Sequence, residues 1–304
     1  MTSTRPSQKR PAWIWPLPSK TLSENMIESI LTRLGLGSRP EPTLASLRRI
    51  YSLWGRRVPF DNVRKLIHVR SGAEGPLPGN TPSDFFTAWL KHGTGGTCWA
   101  GSGALYALLH ALGFQASRGV ATMLVNPDLP PNHGSVLVTI NDARYIVDSG
   151  ILCDEPLALE NNETVVGHPA WGVRAYLNDD RWHVNWRPLH KPDGFECRFE
   201  RFGATSDEFS TFHSQTRGWS PFNFELYARL NRGDDVTGLA FGQAVTLHGE
   251  GRISQSPATH EDRVRVLVED LGMSEEIASQ LPHDIPTPPP PGSKTEQQQS
   301  FVNG

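Results

Sequence analysis

The chain has 304 residues, a formal charge of −3, 37% hydrophobic and 20% charged residues, which suits a soluble globular protein of two ordinary domains or three small ones. That charge excludes a basic surface built for nucleic acid or an anionic membrane, and no apolar run reaches the ~18 residues of a bilayer span. Three widely spaced cysteines, Cys98, Cys153 and Cys197, form neither a disulfide framework nor a paired metal site, so a reducing, cytoplasmic setting without a metal is expected.

Residues 1–20, rich in Pro, Ser, Lys and Arg, are expected to be disordered and lack an apolar segment of signal-peptide length. From Ser23 to Leu34 apolar residues recur at helical spacing, with Met26, Ile27, Ile30 and Leu31 on one face, and Gly35 and Gly37 stop the helix. TLASLRRIYSLWGRR is a second amphipathic helix. PSDFFTAWLKHG is a third, with Pro82 at its start and Gly93 at its end. A fourth runs from about Trp99 to Leu112 and closes at Gly113.

After Gly113 the pattern becomes β-like. GSVLVTIND and ARYIVDSG, joined by Asn141-Asp142, read as a hairpin, and WGVRAYLNDDRWHVNWRPL repeats the plan around Asn178–Asp180. FECRFERF adds a strand. The last third mixes strands (FELYARLNR and LAFGQAVTLHG) with a helix near THEDRVRVLVEDLG, and the Pro- and Gln-rich tail from Pro282 is expected to be extended or disordered.

The chemistry concentrates at GTGGTCWAGSG. A free thiol has a pKa of about 8.5 and is mostly protonated at neutral pH. Cys98 stands at a helix N-terminus, where amides and dipole favour negative charge, behind glycines that let the backbone turn and a carbonyl approach. Such a nucleophile needs a base and an orienting carboxylate. His133 opens the first strand of the first hairpin and Asp148 ends the second, so a turn near Asn141 brings them to one open end. Each residue also has a plainer reading: Cys98 as a packed apolar residue, His133 as a strand-edge surface residue, Asp148 as a turn residue. Cys153 and Cys197 read as packed thiols, and the remaining histidines lack paired ligand spacing.

GGTCW before a helix, NHGSVLV and YIVDSGI in that order resemble the arylamine N-acetyltransferase family, as do VPFDNVRKLI upstream and SPFNFELYARLNR downstream. The likeness runs from about Ile30 to Leu271. It implies an α+β multidomain fold with a Cys-His-Asp core of the cysteine-protease and transglutaminase kind. The expected parts are a helical bundle carrying the nucleophile (21–116), a central antiparallel β-barrel (117–205) and a C-terminal α/β lid (206–281), between tails at 1–20 and 282–304. It implies Cys98, His133 and Asp148 as the catalytic triad and Phe60 as a pocket residue. Trp99, beside the thiol, is the tryptophan expected to touch a substrate. The resemblance also implies ping-pong transfer from acetyl-CoA, as co-substrate, to a small-molecule arylamine or hydrazine. The sequence departs from the family at Thr94, Ala100 and Ser102, where the family carries Arg, Glu and Asn. Alternatives open at this level are an amide synthase using a carrier-bound acyl chain, a thiol hydrolase or transglutaminase-like enzyme, and a non-catalytic ligand-binding homologue.

Overall fold

Five helices form along the first third, three of them (α1, α2 and α4) amphipathic and opened by a side-chain cap. The computed structural model describes residues 22–125, 130–191 and 193–289, so the expectation for 1–20 and most of that for the tail lie outside the described residues. Helix α1 (Glu24–Arg33) starts where the Ser23 hydroxyl accepts from Met26 N, and α2 (Leu44–Arg57) where Thr43 accepts from Ser46 N. A third helix, α3 (Val63–Arg70), lies where no helix was expected. Helix α4 (Pro82–His92) follows Thr81, has Pro82 in its first turn, and ends at Gly93, whose φ of +74° is a left-handed conformation suited to glycine. Helix α5 (Cys98–Ala111) is the central one: Cys98, Trp99, Ala100, Ser102, Leu105 and Leu109 are all buried. Trp54 stacks on Phe85 at 6.0 Å between centroids, and Phe85 meets Phe86 edge to face at 5.4 Å. Fully burying each such ring contributes about 1.5–3 kcal/mol.

Two antiparallel sheets make up the rest. The larger contains β2 (Gln115–Met123), β3 (His133–Ile140), β4 (Ala143–Val147), β5 (Leu157–Ala158), β6 (Glu163–Val166), β7 (Val173–Asn178), β8 (Arg181–Trp186) and β9 (Phe195–Ala204). Its order is β5-β4-β3-β2-β9-β8-β7-β6, and its two ends approach, giving a nearly closed barrel. Both expected hairpins turn on paired residues with positive φ, Asn141 (48°) with Asp142 (67°) and Asp179 (47°) with Asp180 (58°).

The smaller sheet has the order β1 (Phe60–Asp61), β10 (Tyr227–Arg232), β11 (Asp235–Ala240), β12 (Gln243–Leu247), β13 (Ile253–Pro257). LAFGQAVTLHG, expected as one strand, spans the end of β11 and all of β12, because Phe241 (φ 48°) and Gly242 (φ 83°) reverse the chain. Helix α6 (Ser206–Gln215) joins the sheets, opened by a reciprocal cap between Thr205 and Glu208. The expected helix near Thr259 is α7 (His260–Arg265), continued by a wider π-type turn over Val266–Asp270. A short α8 (Glu275–Ala278) follows, and residues 283–287 run irregularly but are pinned, with Asp284 accepting from Leu226 N and Ile285 N donating to Phe224 O.

The principal core joins the early helices to the barrel. A second, smaller core packs Val63 and Leu66 of α3 against Leu226, Leu239, Val266 and Leu267. The segment Phe60–Arg70 is therefore shared: early in sequence, it packs with the C-terminal sheet. That sharing carries the chain past the nucleophile loop, since Phe60 bridges Gly96 and Asp61 N donates to Gly96 O.

Candidate active site

The site forms where the N-terminus of α5 meets the open end of the β3–β4 hairpin. Asp61, 1% exposed, holds the loop before Cys98: one carboxylate oxygen accepts from Gly95 N at 2.6 Å and the other from Val63 N at 3.0 Å. Burial pushes this carboxyl up to about 6 against the opposing effect of those two amides. Gly95 has no alternative in this position, because an added Cβ would sit 1.8 Å from Pro59 O. Thr94 and Ala100 are both buried, so an Arg–Glu pair would have no solvent there; the loop is tied by the Asp61 carboxylate. Ser102, one turn into α5, donates to Gly134 O at 2.9 Å and lies 3.0 Å from Ser149 Oγ, fastening α5 to the strand that carries His133.

The hairpin register pairs Val136 with Val147. Continuing it places Asp148 opposite Ser135 and His133 one diagonal step away, within reach of a long side chain. His133 Nε2 lies 2.8 Å from Asp148 Oδ2. Asp148 Oδ1 accepts from Gly150 N at 2.8 Å and Ile151 N at 3.1 Å. The Tyr51 hydroxyl, from α2, donates to Asp148 O at 2.9 Å and accepts from Asp148 N at 3.0 Å. Asp148 is thus fixed through its carboxylate and its backbone together.

Cys98, 8% exposed, sits beside the strand that opens at His133, and its sulfur favours the charged form of the imidazole. With Nε2 engaged by Asp148, Nδ1 is the ring nitrogen left for the sulfur. The same sulfur lies 3.9 Å from Asn132 O. Thr97 makes no side-chain cap to α5, so the first amides of that helix are not taken up by a capping oxygen. Burial disfavours a charged His133, but the Asp148 carboxylate and the Cys98 sulfur outweigh it and raise the imidazole to about 10. Burial acts against an ionised Asp148 too, and His133 with the Gly150 amide overcomes it, holding the carboxyl below the usual range.

The other two thiols differ. Cys153 is pushed by burial to about 12, and Cys197 well above an ordinary thiol. Phe60 lies beside the hairpin end: an atom built on Gly150 would meet His133 at 3.2 Å and Phe60 at 3.4 Å. Its ring packs edge-on against Phe222 at 5.5 Å and Tyr227 at 5.6 Å. Trp99 is 2% exposed, stacked on Phe212 at 5.2 Å and edge-on to Phe209 at 4.9 Å. The structure therefore brings Cys98, His133, Asp148 and Phe60 together and places Trp99 against α6. Sequence reasoning missed Tyr51, Asp61 and Trp186, whose ring stacks on His133 at 6.1 Å; Asp61, lying in the quoted VPFDN stretch, was the one with a local signal. Elsewhere, Asp235, His248 and Glu250 offer ligand-type atoms within 4.8 Å of one another, but both His248 nitrogens are engaged, by Asp235 and Ser254.

Comparison with known proteins gives consistent results. A family model described as N-acetyltransferase matches residues 43–228. An arylamine N-acetyltransferase from Mycolicibacterium smegmatis is 32% identical over 127 residues, 40% of this chain and 44% of the relative, so the match spans less than half of that protein. Among solved structures, M. smegmatis arylamine N-acetyltransferase superposes with a TM-score of 0.69 at 20% identity, covering 84% of this chain and 96% of the other. The Salmonella typhimurium enzyme gives 0.70 at 19%, covering 86% and 98%. The Mycobacterium marinum enzyme in complex with CoA gives 0.71 at 19%, covering 84% and 97%.

Proposed function

The chain belongs to the arylamine N-acetyltransferase family, and from that premise we propose that it moves an acetyl group from acetyl-CoA to an arylamine, hydrazine or arylhydroxylamine through a thioester on Cys98. The observation that carries this reading is His133 at 2.8 Å from Asp148, with the Cys98 sulfur at the start of a helix and 3.9 Å from the carbonyl of Asn132, the residue before His133. His133 takes the thiol proton and Asp148 steadies the resulting imidazolium. The thiolate attacks the thioester carbonyl, and the first amides of α5 face the oxyanion. The C–S bond to CoA breaks, and the departing thiolate recovers the proton from His133. In the second half the amine attacks the acyl-cysteine, His133 accepts the amine proton, and Cys98 leaves as the thiolate. Phe60, Phe222 and Tyr227 form an aromatic wall beside His133, suited to a flat acceptor.

The same reading divides the chain into a helical part at 21–116, a barrel at 117–205 and an α/β lid at 206–281. It is supported by strand β9 ending at Ala204 and α6 starting at Ser206. The crossing of Phe60–Arg70 into the lid sheet joins first part to last. No described helix is long and apolar enough to cross a membrane, and the free cysteines suit a cytoplasmic setting.

The test is direct. After brief incubation with acetyl-CoA, mass spectrometry is expected to find one acetyl group on the Cys98 peptide, discharged by an added arylamine. An unmodified Cys98 peptide, or an adduct on another residue, overturns the proposal.

A further inference from the structure

The barrel carries a second hollow, apart from the catalytic residues. One side of it is Arg144 of β4 and the stretch from Leu159 to the Asn161–Asn162 turn; the other is the β7–β8 turn and residues 199–202 of β9. It lies where the two arms of the larger sheet face each other. Arg144 pairs with Thr139 beside the Asn141–Asp142 turn, at the closed end of the hairpin whose open end holds His133 and Asp148. At about 3.3 Å per residue, Arg144 and Asp148 are roughly 13 Å apart along β4.

The cavity has a volume of about 420 Å³, within the range of about 300–1,000 Å³ that encloses a small ligand. Its apolar lining is Leu159, Leu177, Trp182, Phe199 and Phe202, with Phe199 stacked on Phe202 at 5.1 Å. Its charged lining is Arg144, Arg181 and Arg201 against Asp180 and Glu200, an excess of one positive charge. Three of these five are satisfied. Arg181 donates to Glu200 at 2.7 Å, and Arg201 to Glu208 of α6 at 2.5 Å. Arg144 and Asp180 remain: among the described residues neither side chain has an ion pair or a hydrogen bond, and they do not pair with each other.

An open guanidinium beside aromatic surface complements a ring that bears a carboxylate. The planar fork takes both oxygens, and the ring covers the apolar lining. The excess charge is one, and the unpaired Asp180 opposes a second negative group, so the fitting ligand is a monoanion. We propose that this cavity is a second binding site, for a flat aromatic monocarboxylate, with Arg144 as its anion-binding residue. The inference is independent of the reading of Cys98.

The test uses the full chain labelled with 15N at tryptophan and titrated with 2-naphthoate, the indole N–H signals being assigned through Trp182→Phe and Trp186→Phe. Trp182 lines the cavity, while Trp186 stacks on His133 and reports the catalytic end. A saturable shift of the Trp182 signal is expected. Arg144→Gln should weaken it by roughly 10-fold or more, the loss of a charge-assisted hydrogen bond, and Arg144→Lys by less. The neutral 2-naphthamide should bind the native chain correspondingly more weakly, a comparison that needs no variant. A Trp182 signal unmoved by millimolar probe overturns the proposal. So does a shift confined to Trp186, which places the probe in the catalytic cleft. Equal binding of the amide and the carboxylate, or of native chain and folded Arg144→Gln, overturns the role of Arg144.

Discussion

Asp148 shows how much one residue settles here. Its Oδ1 must accept from Gly150 N and Ile151 N, so in Asp148→Asn the amide oxygen turns to those donors and the NH2 faces His133 Nε2. The ring then carries its proton on Nδ1, which faces the sulfur and no longer accepts the thiol proton. Cys98→Ala is expected to abolish acetyl transfer, and Asp148→Asn to lower it by on the order of 10³–10⁴ with substrate binding retained, as a kcat and KM comparison reads directly. His133 supplies a pH test. Its folded value, raised to about 10, means that its stabilisation is complete below about 6.5, its unfolded value, and is lost as pH rises through 10. The stability difference between the native chain and His133→Gln, from urea unfolding, should therefore shrink between pH 7 and 10. A difference that stays flat contradicts the charged pair. His133 and Asp148 were legible because a hairpin fixes its own register; Tyr51 was not, since it reaches Asp148 from 97 residues away.

At the scale of elements, the loop from Gly93 to Thr97 is the critical part. It is held between Asp61 on one side and the start of α5 on the other, with Gly96 bridged to Phe60. Gly95→Ala would place a methyl group 1.8 Å from Pro59 O, against backbone that cannot yield without moving β1. The displacement passes to Cys98, and a misplacement of about 1 Å costs up to 10²-fold. The expected result is at least a 10-fold loss of kcat/KM together with a lower melting temperature; a variant with native kinetics would refute the tight loop. Elements with clear signals were legible: α1, α2 and α4 by period and cap, α5 by its apolar run between glycines, and both barrel hairpins by their turn residues. Helix α3 was not, because it is eight residues long, half of them charged or histidine, and Asn62 gives it no side-chain cap. Strand β2 carries Gly119 and little apolar alternation, and its pairing with both β3 and β9 is what holds it extended. The turn at Phe241 hid because an aromatic residue with positive φ carries no local signal of a reversal.

At the scale of the whole molecule, the fold gives three thiols three environments. Cys153 and Cys197 are sealed in the core and pushed far up, while the Cys98 sulfur lies at the start of α5, 3.9 Å from the carbonyl of Asn132 next to His133. Iodoacetamide at pH 7 is expected to label Cys98 in the native protein, and all three cysteines only after unfolding, which peptide mapping checks; native labelling of Cys153 or Cys197 contradicts the packing. By itself the sequence determined what depends on neighbours along the chain: where the early helices start and stop, the two barrel hairpins, and the approach of His133 to Asp148 across one of them. Tertiary structure alone decided how a carboxylate on β1 shapes the loop before Cys98, how Tyr51 fixes Asp148, that Trp99 packs on α6, and that the buried Lys65 amine is held by Thr216. Those outcomes follow from contacts between segments far apart in the chain, and no local period or cap encodes which distant surface a side chain will meet.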